Sequence, residues 1–265
     1  MTRKLLITAS QKGGSGKTVL ACGLLDHLRT AGMPVAAFDG DGAVGGFYKM
    51  HGARDADGRL RPDQDARTGV VPYDIRDTAS RDMLIESLDT DAPTILHDLA
   101  GGALLSLLQL FGDDVEGPLR NLDMALEDLD AELIVLHLVT RDEGSVASVR
   151  QYLDLTVDCL RIRHVAVVNR HAGRDPDLRT WFGTADGPSG GRTRALLMER
   201  GGVEMTLPAL DGGAMALAQG MGAPFSVAIE DRSLPLVQRQ RIRQFLRAFA
   251  AELTPEVQNV LGVGT

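Results

Sequence analysis

The sequence predicts an α/β fold built on a doubly wound, mostly parallel sheet flanked by helices. Three observations predict it. Six short runs rich in Val, Ile and Leu recur along the chain, amphipathic segments alternate with them, and the first run leads through a glycine-rich turn into a helical pattern. The apolar runs are nearly continuous rather than alternating, as strands covered on both faces require.

In chain order the strands are "KLLITAS" (4–10), "PVAAFD" (34–39), "PTILHD" (93–98), "ELIVLHLV" (132–139), "HVAVVN" (164–169) and "VEMTLP" (203–208). Helical periodicity covers 17–31, 76–90, 103–111, 118–130, 143–160, 192–201, 213–220 and 233–253. Between parallel strands such crossovers are right-handed. The stretches 52–69 and 183–191 read as loops, the first polar and without apolar period, the second rich in turn residues. Neither a repeat nor a linker interrupts the chain, so one domain over 1–265 is expected.

Composition narrows the function classes. The chain has 265 residues and a net charge of −8, which argues against indiscriminate wrapping of nucleic acid but leaves room for a local basic patch. Cys22 and Cys159 are the only cysteines and lack C-x-x-C spacing, so neither a disulfide framework nor a zinc site is expected. No apolar stretch is long enough to span a bilayer, and a cytoplasmic protein is expected. The carboxylate-rich run 113–132 reads as a solvated helix face.

The turn after the first strand is "SQKGGSGKT" (10–18). Gly13, Gly14 and Gly16 lack a Cβ, so backbone N–H groups can converge on one anion, and the helix starting near Lys17 adds its N-terminal dipole. Lys17 then reaches the β- and γ-phosphates of a nucleotide, and the Thr18 hydroxyl serves Mg²⁺. Ser15 and Val19 flank these residues in the same nucleotide-binding set. The strand before and the helix after are the context that gives the motif its meaning.

K-G-G-x-G-K-T resembles the deviant Walker A motif of the ParA/MinD family of P-loop ATPases. The resemblance implies ATP and Mg²⁺ as ligands. It also implies that the earlier lysine, Lys12, reaches across an ATP-dependent homodimer to the partner's nucleotide, where a cation stabilises charge developing on the phosphoryl oxygens. In "FDGDGAVGG" (38–46) it makes Asp41 the residue that orients the attacking water and Asp39 its companion near the Mg²⁺ shell, although an Asp-Gly turn carries the same residues. "TILHDLAGG" (94–102) has the form of Walker B, with Asp98 holding Mg²⁺ through water and Ala100–Gly102 sensing the γ-phosphate; His97 reads as structural. Asn169 matches the base-contacting Asn of the family, and Leu207 and Pro208 open the loop that packs on adenine.

Within the family, the cysteine positions disfavour an iron–sulfur reductase or an arsenite-pump ATPase. The tail "ELTPEVQNVLGVGT" lacks Lys and Arg and is interrupted by Pro255, which disfavours a basic membrane-binding helix. The ParA-like branch remains, a slow ATPase stimulated by a partner protein that positions a cargo on nonspecific DNA and is nucleoid-associated when ATP-bound. The helix within 231–253, with Ser233 as N-cap, carries Arg239, Arg243 and Arg247 at four-residue spacing opposite its apolar face, with Arg232 near the same line. A solvated helix face has the same pattern. The alternative is an ATP-dependent biosynthetic ligase of the same fold, acting on a small carboxylate.

Overall fold

The computed structural model describes residues 2–42, 45–110, 119–183 and 190–264. Seven strands form one sheet in the order β3-β2-β4-β1-β5-β6-β7, and every pairing between these strands is parallel. The strands are β1 (Arg3–Ala9), β2 (Val35–Gly40), β3 (Val71–Pro72), β4 (Thr94–Leu99), β5 (Ala131–Val139), β6 (Ile162–Asn169) and β7 (Val203–Leu207). The helices are α1 (Lys17–Thr30), α2 (Gly46–His51), α3 (Met83–Glu86), α4 (Leu104–Leu108), α5 (Arg120–Asp128), α6 (Glu143–Leu155), α7 (Arg179–Phe182), α8 (Arg192–Glu199), α9 (Gly212–Met221), α10 (Phe225–Ala228), α11 (Leu236–Glu252) and α12 (Pro255–Leu261).

The continuous apolar runs do what both-face burial demands. In β1, Leu6 packs into the core under α1 and α11, while its neighbours Leu5 and Ile7 pack into the core on the opposite face. The expected doubly wound parallel sheet is therefore the fold observed, and it brings the C-terminal ends of all strands to one rim.

All six expected strands are present; the short edge strand β3 was not expected. The pattern over 76–90 yields no long helix. Asp77 accepts from the Ala79 N–H (3.0 Å), and Ser80 Oγ donates to the Asp74 carbonyl (2.9 Å), so local side chains capture backbone groups that a helix would need. Only α3 and a 3₁₀ turn at Ser87–Asp89 remain helical. The polar stretch 52–69 is an ordered loop. Gln64 brackets Ala53, accepting from its N–H (2.7 Å) and donating to its carbonyl (3.0 Å), and Arg29 donates to the carbonyls of Ala66 and Gly69. Residues 184–189 of the expected loop 183–191, and 113–118 of the acidic run, lie outside the described residues.

Two details at the C-terminal end correct the sequence reading. α11 begins at Leu236 after Pro235, because the Ser233 N–H is taken by Asp231 (2.7 Å) in the preceding turn. Pro255 opens a helix rather than interrupting one. It stands in the first turn of α12, whose N-cap Thr254 accepts from Val257 N (3.4 Å), and Val257, Leu261 and Val263 are buried in the α11 core. No helix among the described residues is long and apolar enough to cross a membrane.

Candidate functional site

The rim between β1, β4 and β2 gathers most of the expected residues. Gly16, with φ +101°, turns the chain into α1, and a Cβ there would lie 2.6 Å from Asn169 Nδ2. Only glycine combines that dihedral with that approach. Asn169, at the end of β6, donates to the Ser15 carbonyl (2.7 Å) and accepts from its own turn at His171 N (2.9 Å). Its amide thus locks the glycine-rich loop from the side. On the other side Gly102 N donates to the Ser10 carbonyl (3.0 Å), and a Cβ on Gly101 would press on the Gly13 amide at 3.3 Å. The Ala100–Gly102 turn is therefore seated directly against the loop.

Lys17 is buried, 8 % exposed, and makes no ion pair among the described residues; its Nζ donates only to the Lys12 carbonyl (3.4 Å). Burial lowers its pKa, and the charges of Asp98 and Asp41 raise it in part. A buried ammonium short of anionic partners suits an anionic ligand. Ser15 Oγ, beside it in the loop, is also buried without a hydrogen-bond partner.

Thr18 Oγ1 donates to Asp98 Oδ2 (2.7 Å), and Thr8 Oγ1 donates to Asp98 Oδ1 (2.7 Å). Burial, the first cause, raises the Asp98 pKa, while the two hydroxyls and Lys17 hold it down. Among the described residues no cluster of three His, Cys, Asp or Glu is arranged to hold a metal. The hydroxyl and carboxylate oxygens of Thr18 and Asp98 are nonetheless the hard donors that fit Mg²⁺, an ion that completes its shell with water and phosphate oxygens. Thr8 was missed in the sequence reading; a hydroxyl within an apolar strand, just before the glycine-rich turn, was its signal.

The two carboxylates at the end of β2 diverge. Asp39 is fully buried and spends both oxygens on backbone amides, Oδ1 accepting from Asp41 N (3.1 Å) and Oδ2 from Tyr48 N (2.8 Å). Burial and then the Asp98 charge push its pKa up to about 7. Through these two amides Asp39 anchors the turn and the start of α2, and each oxygen keeps a further lone pair. Asp41 is half exposed and faces Arg76 (3.3 Å).

Lys12 points away from Lys17. Its ammonium is paired with Asp142, the N-cap of α6, over a cavity of 350 Å³ also lined by Ser10, Thr140, Arg141 and His171. Asn169, Leu207, Pro208 and Val19 line a second, narrower cavity of 160 Å³, with Leu210 and Met215. Leu210 ends the expected 207–210 loop, whereas Met215 lay outside the sequence reading because its approach depends on how the chain turns after β7.

The arginine line lies elsewhere. None of Arg232, Arg239, Arg243 and Arg247 lines either cavity. Leu234, Ile242, Phe245, Phe249 and Leu253 are buried as expected. The line itself does not project wholly to solvent. Arg243 donates to the Ile229 carbonyl (3.2 Å) and pairs with Glu230 (3.0 Å), and Arg239 Nε is buried without a partner. The turn after α10 packs on that side of α11, which a single-helix projection cannot reveal. Arg232 and Arg247 remain exposed.

A parallel sheet with a glycine-rich loop, a buried lysine and a Thr–Asp pair at its rim defines a phosphate-loop nucleotide-binding protein. The family model of the CobQ/CobB/MinD/ParA nucleotide-binding domain matches residues 6–263, and the chain belongs to that family. Among solved structures it is similar to the septum site-determining protein MinD of Pyrococcus horikoshii OT3 in complex with Mg-ADP (16% identity, TM-score 0.53, covering 98% of this chain and 99% of that one). It is also similar to a McdA–ATP complex from Cyanothece (12% identity, TM-score 0.50, covering 100% and 98%). At such identities the likeness is one of fold. No curated protein sequence matches the chain.

Proposed function

We propose that this chain is a ParA-like ATPase, one domain throughout, that binds ATP with Mg²⁺, forms a nucleotide-dependent homodimer and positions a cargo through nonspecific DNA and a stimulating partner protein. The observation that carries the reading is the division of labour between the two lysines. Lys17 is buried in the loop and makes no ion pair among the described residues, whereas Lys12 stands exposed at the rim. One phosphate site needs the first; the second serves a nucleotide held by another copy.

In this reading the backbone amides of Gly13–Thr18 and the Lys17 ammonium hold the phosphates. Val19, Leu207 and Pro208 enclose the base, and Asn169 keeps one N–H for it while its other bonds hold the loop. Thr18 and Asp98 hold Mg²⁺, which when bound neutralises phosphate charge. Asp41 orients the attacking water, and Lys12 of one subunit faces the phosphates of the other. The Ala100–Gly102 turn rests on the loop and follows its state. Exposed arginines, Arg232 and Arg247 foremost, present positive charge to DNA phosphates; Arg239 and Arg243 contribute less because they are partly enclosed.

The test separates the lysines. Lys12→Ala is expected to bind a fluorescent ATP analogue within about threefold of wild type, since an exposed cation already paired with Asp142 adds little to monomer binding. It should nevertheless remain monomeric by light scattering when ATP is present. ATP-driven dimers of wild-type yield and turnover in that variant would overturn the cross-subunit role.

One observation favours the second reading, a ligase. The 350 Å³ cavity runs from the loop residues Gly13–Ser15 to Thr140 and Arg141, and its Thr140–Arg141 side offers a cation and hydroxyls to a small carboxylate substrate next to the phosphates. ATP turnover that requires such a carboxylate, and is indifferent to DNA and partner protein, would establish it.

A further inference from the structure

The segment between β2 and β4 carries no motif, yet the chain returns through it to the edge of the sheet at β3, immediately beside Asp41. Tyr73 N donates to the Asp39 carbonyl (2.8 Å), Ile75 N to the Gly40 carbonyl (3.1 Å), and Gly42 N to the Tyr73 carbonyl (2.8 Å). Past the two-residue parallel pairing, Asp41 and Asp74 form an antiparallel bridge. Three backbone hydrogen bonds, two of which make the bridge, thus fasten 73–75 along 39–42.

Arg76 stands at the end of this seam. Its guanidinium grips Asp74 through two nitrogens, Nε to Oδ1 (2.8 Å) and Nη2 to Oδ2 (3.0 Å), and the same Asp74 Oδ1 accepts the Arg76 N–H (2.9 Å). Ser80 fixes the backbone of Asp74, donating to its carbonyl (2.9 Å) and accepting its N–H (3.3 Å). With its plane set by Asp74, the guanidinium reaches Asp41 Oδ1 at 3.3 Å, and among the described residues Arg76 is the only ion-pair partner of that carboxylate. Asp41 otherwise sits near the buried carboxylates of Asp39 and Asp98, whose repulsion the guanidinium offsets from the solvent side.

We infer that Arg76, held by Asp74, is a positioning residue for Asp41: it sets the orientation of the carboxylate that aligns the attacking water. A planar fork that binds one carboxylate through two nitrogens and still reaches a second does this; the point charge of a lysine does not. The inference rests on the proposed role of Asp41. The two-residue edge strand and the turn after it place Arg76 at the rim.

The experiment is a double-mutant cycle with binding measured beside turnover. Arg76→Ala is expected to lower kcat by about ten- to a hundredfold, the scale of a small misplacement at a reacting group. Its Kd for a fluorescent ATP analogue with Mg²⁺ should stay within about twofold, because no phosphate contact is removed. Arg76→Lys should recover only part of kcat. In an Asp41→Ala background, Arg76→Ala should cost nothing further. Should Arg76→Ala fail to fold, Asp74→Asn, which removes the grip but keeps the shape, is expected to lower kcat in the same direction at unchanged Kd. Wild-type kcat in Arg76→Ala, an equal loss with and without Asp41, or a Kd that weakens as much as kcat falls would each overturn the positioning role. Wild-type turnover in Asp41→Ala alone would instead overturn the reading of Asp41 on which it rests.

Discussion

The phosphate loop and α11 were both singled out by their cations, and the fold treats them in opposite ways. Lys17 is buried, its ammonium meeting the Lys12 carbonyl and no ion-pair partner among the described residues, whereas the α11 arginines lie where neighbouring carboxylates and carbonyls compete for them. Arg241 is paired with Asp211 and Arg243 with Glu230. A buried cation acts through geometry and desolvation. An exposed one acts through screened charge, and its strength depends on which acid happens to lie nearby.

The largest effect belongs to the buried cation. Lys17→Ala is expected to weaken nucleotide affinity by about a hundredfold or more and to abolish turnover, the scale of losing a preorganised charged donor. Equilibrium binding of a fluorescent nucleotide decides it, and near-normal affinity would remove the loop from the site.

A smaller effect distinguishes the regions by pH. Asp39 has a folded pKa of about 7, raised by burial, against about 3.9 in an unfolded chain. The folded state therefore holds a proton that the unfolded state has released between those values. The favourable contribution is complete below about pH 4 and is lost as pH rises through 7, a swing of up to about 4 kcal/mol. In Asp39→Asn that dependence should vanish, so the stability of the variant relative to wild type should rise from pH 4 to 7 in urea titrations. A parallel pair of curves would show that the Asp39 carboxyl is not pushed up in the fold.

Gly16→Ala probes the loop backbone. The left-handed dihedral costs about 1–2 kcal/mol for a residue with a Cβ, and the clash with Asn169 adds to it. A lowered melting temperature together with abolished nucleotide binding is expected; Gly13→Ala, whose Cβ would meet nothing within 4 Å, should leave the melting temperature nearly unchanged.

The smallest effect belongs to the exposed cations. In polarisation assays with random duplex DNA over a salt series, Arg247→Ala should reduce the log–log slope by about 0.9 for each DNA phosphate it no longer neutralises. Arg243→Ala, already engaged with Glu230 and Ile229, should change it less. Equal slopes for both variants would show that the ion pair does not matter, and slopes equal to wild type would remove α11 from the DNA-binding surface.

Most of the architecture was legible because strands buried on both faces leave a continuous apolar signature and a glycine-rich turn between strand and helix has few alternative uses. β1, β2, β4, β5, β6 and β7, α1, and the residues Lys12, Lys17, Thr18 and Asp98 all follow from local pattern or motif. Less legible were elements whose stability is not local. β3 is two residues held by β2, the 76–90 helix is undone by Asp77 and Ser80, and α12 forms where Pro255 had suggested a break.

What the sequence determined by itself was the main strands, the rim they share and the place of the glycine-rich loop, since periodicity and glycine dihedrals act within a few residues. Tertiary structure alone decided that Asp39 anchors while Asp41 faces outward, that Thr8 braces Asp98, that Arg243 is occupied, and that Arg76 meets Asp41 across 35 residues of chain. Those assignments depend on which lone pairs and charges remain unclaimed after packing, and that competition is settled only when distant segments meet.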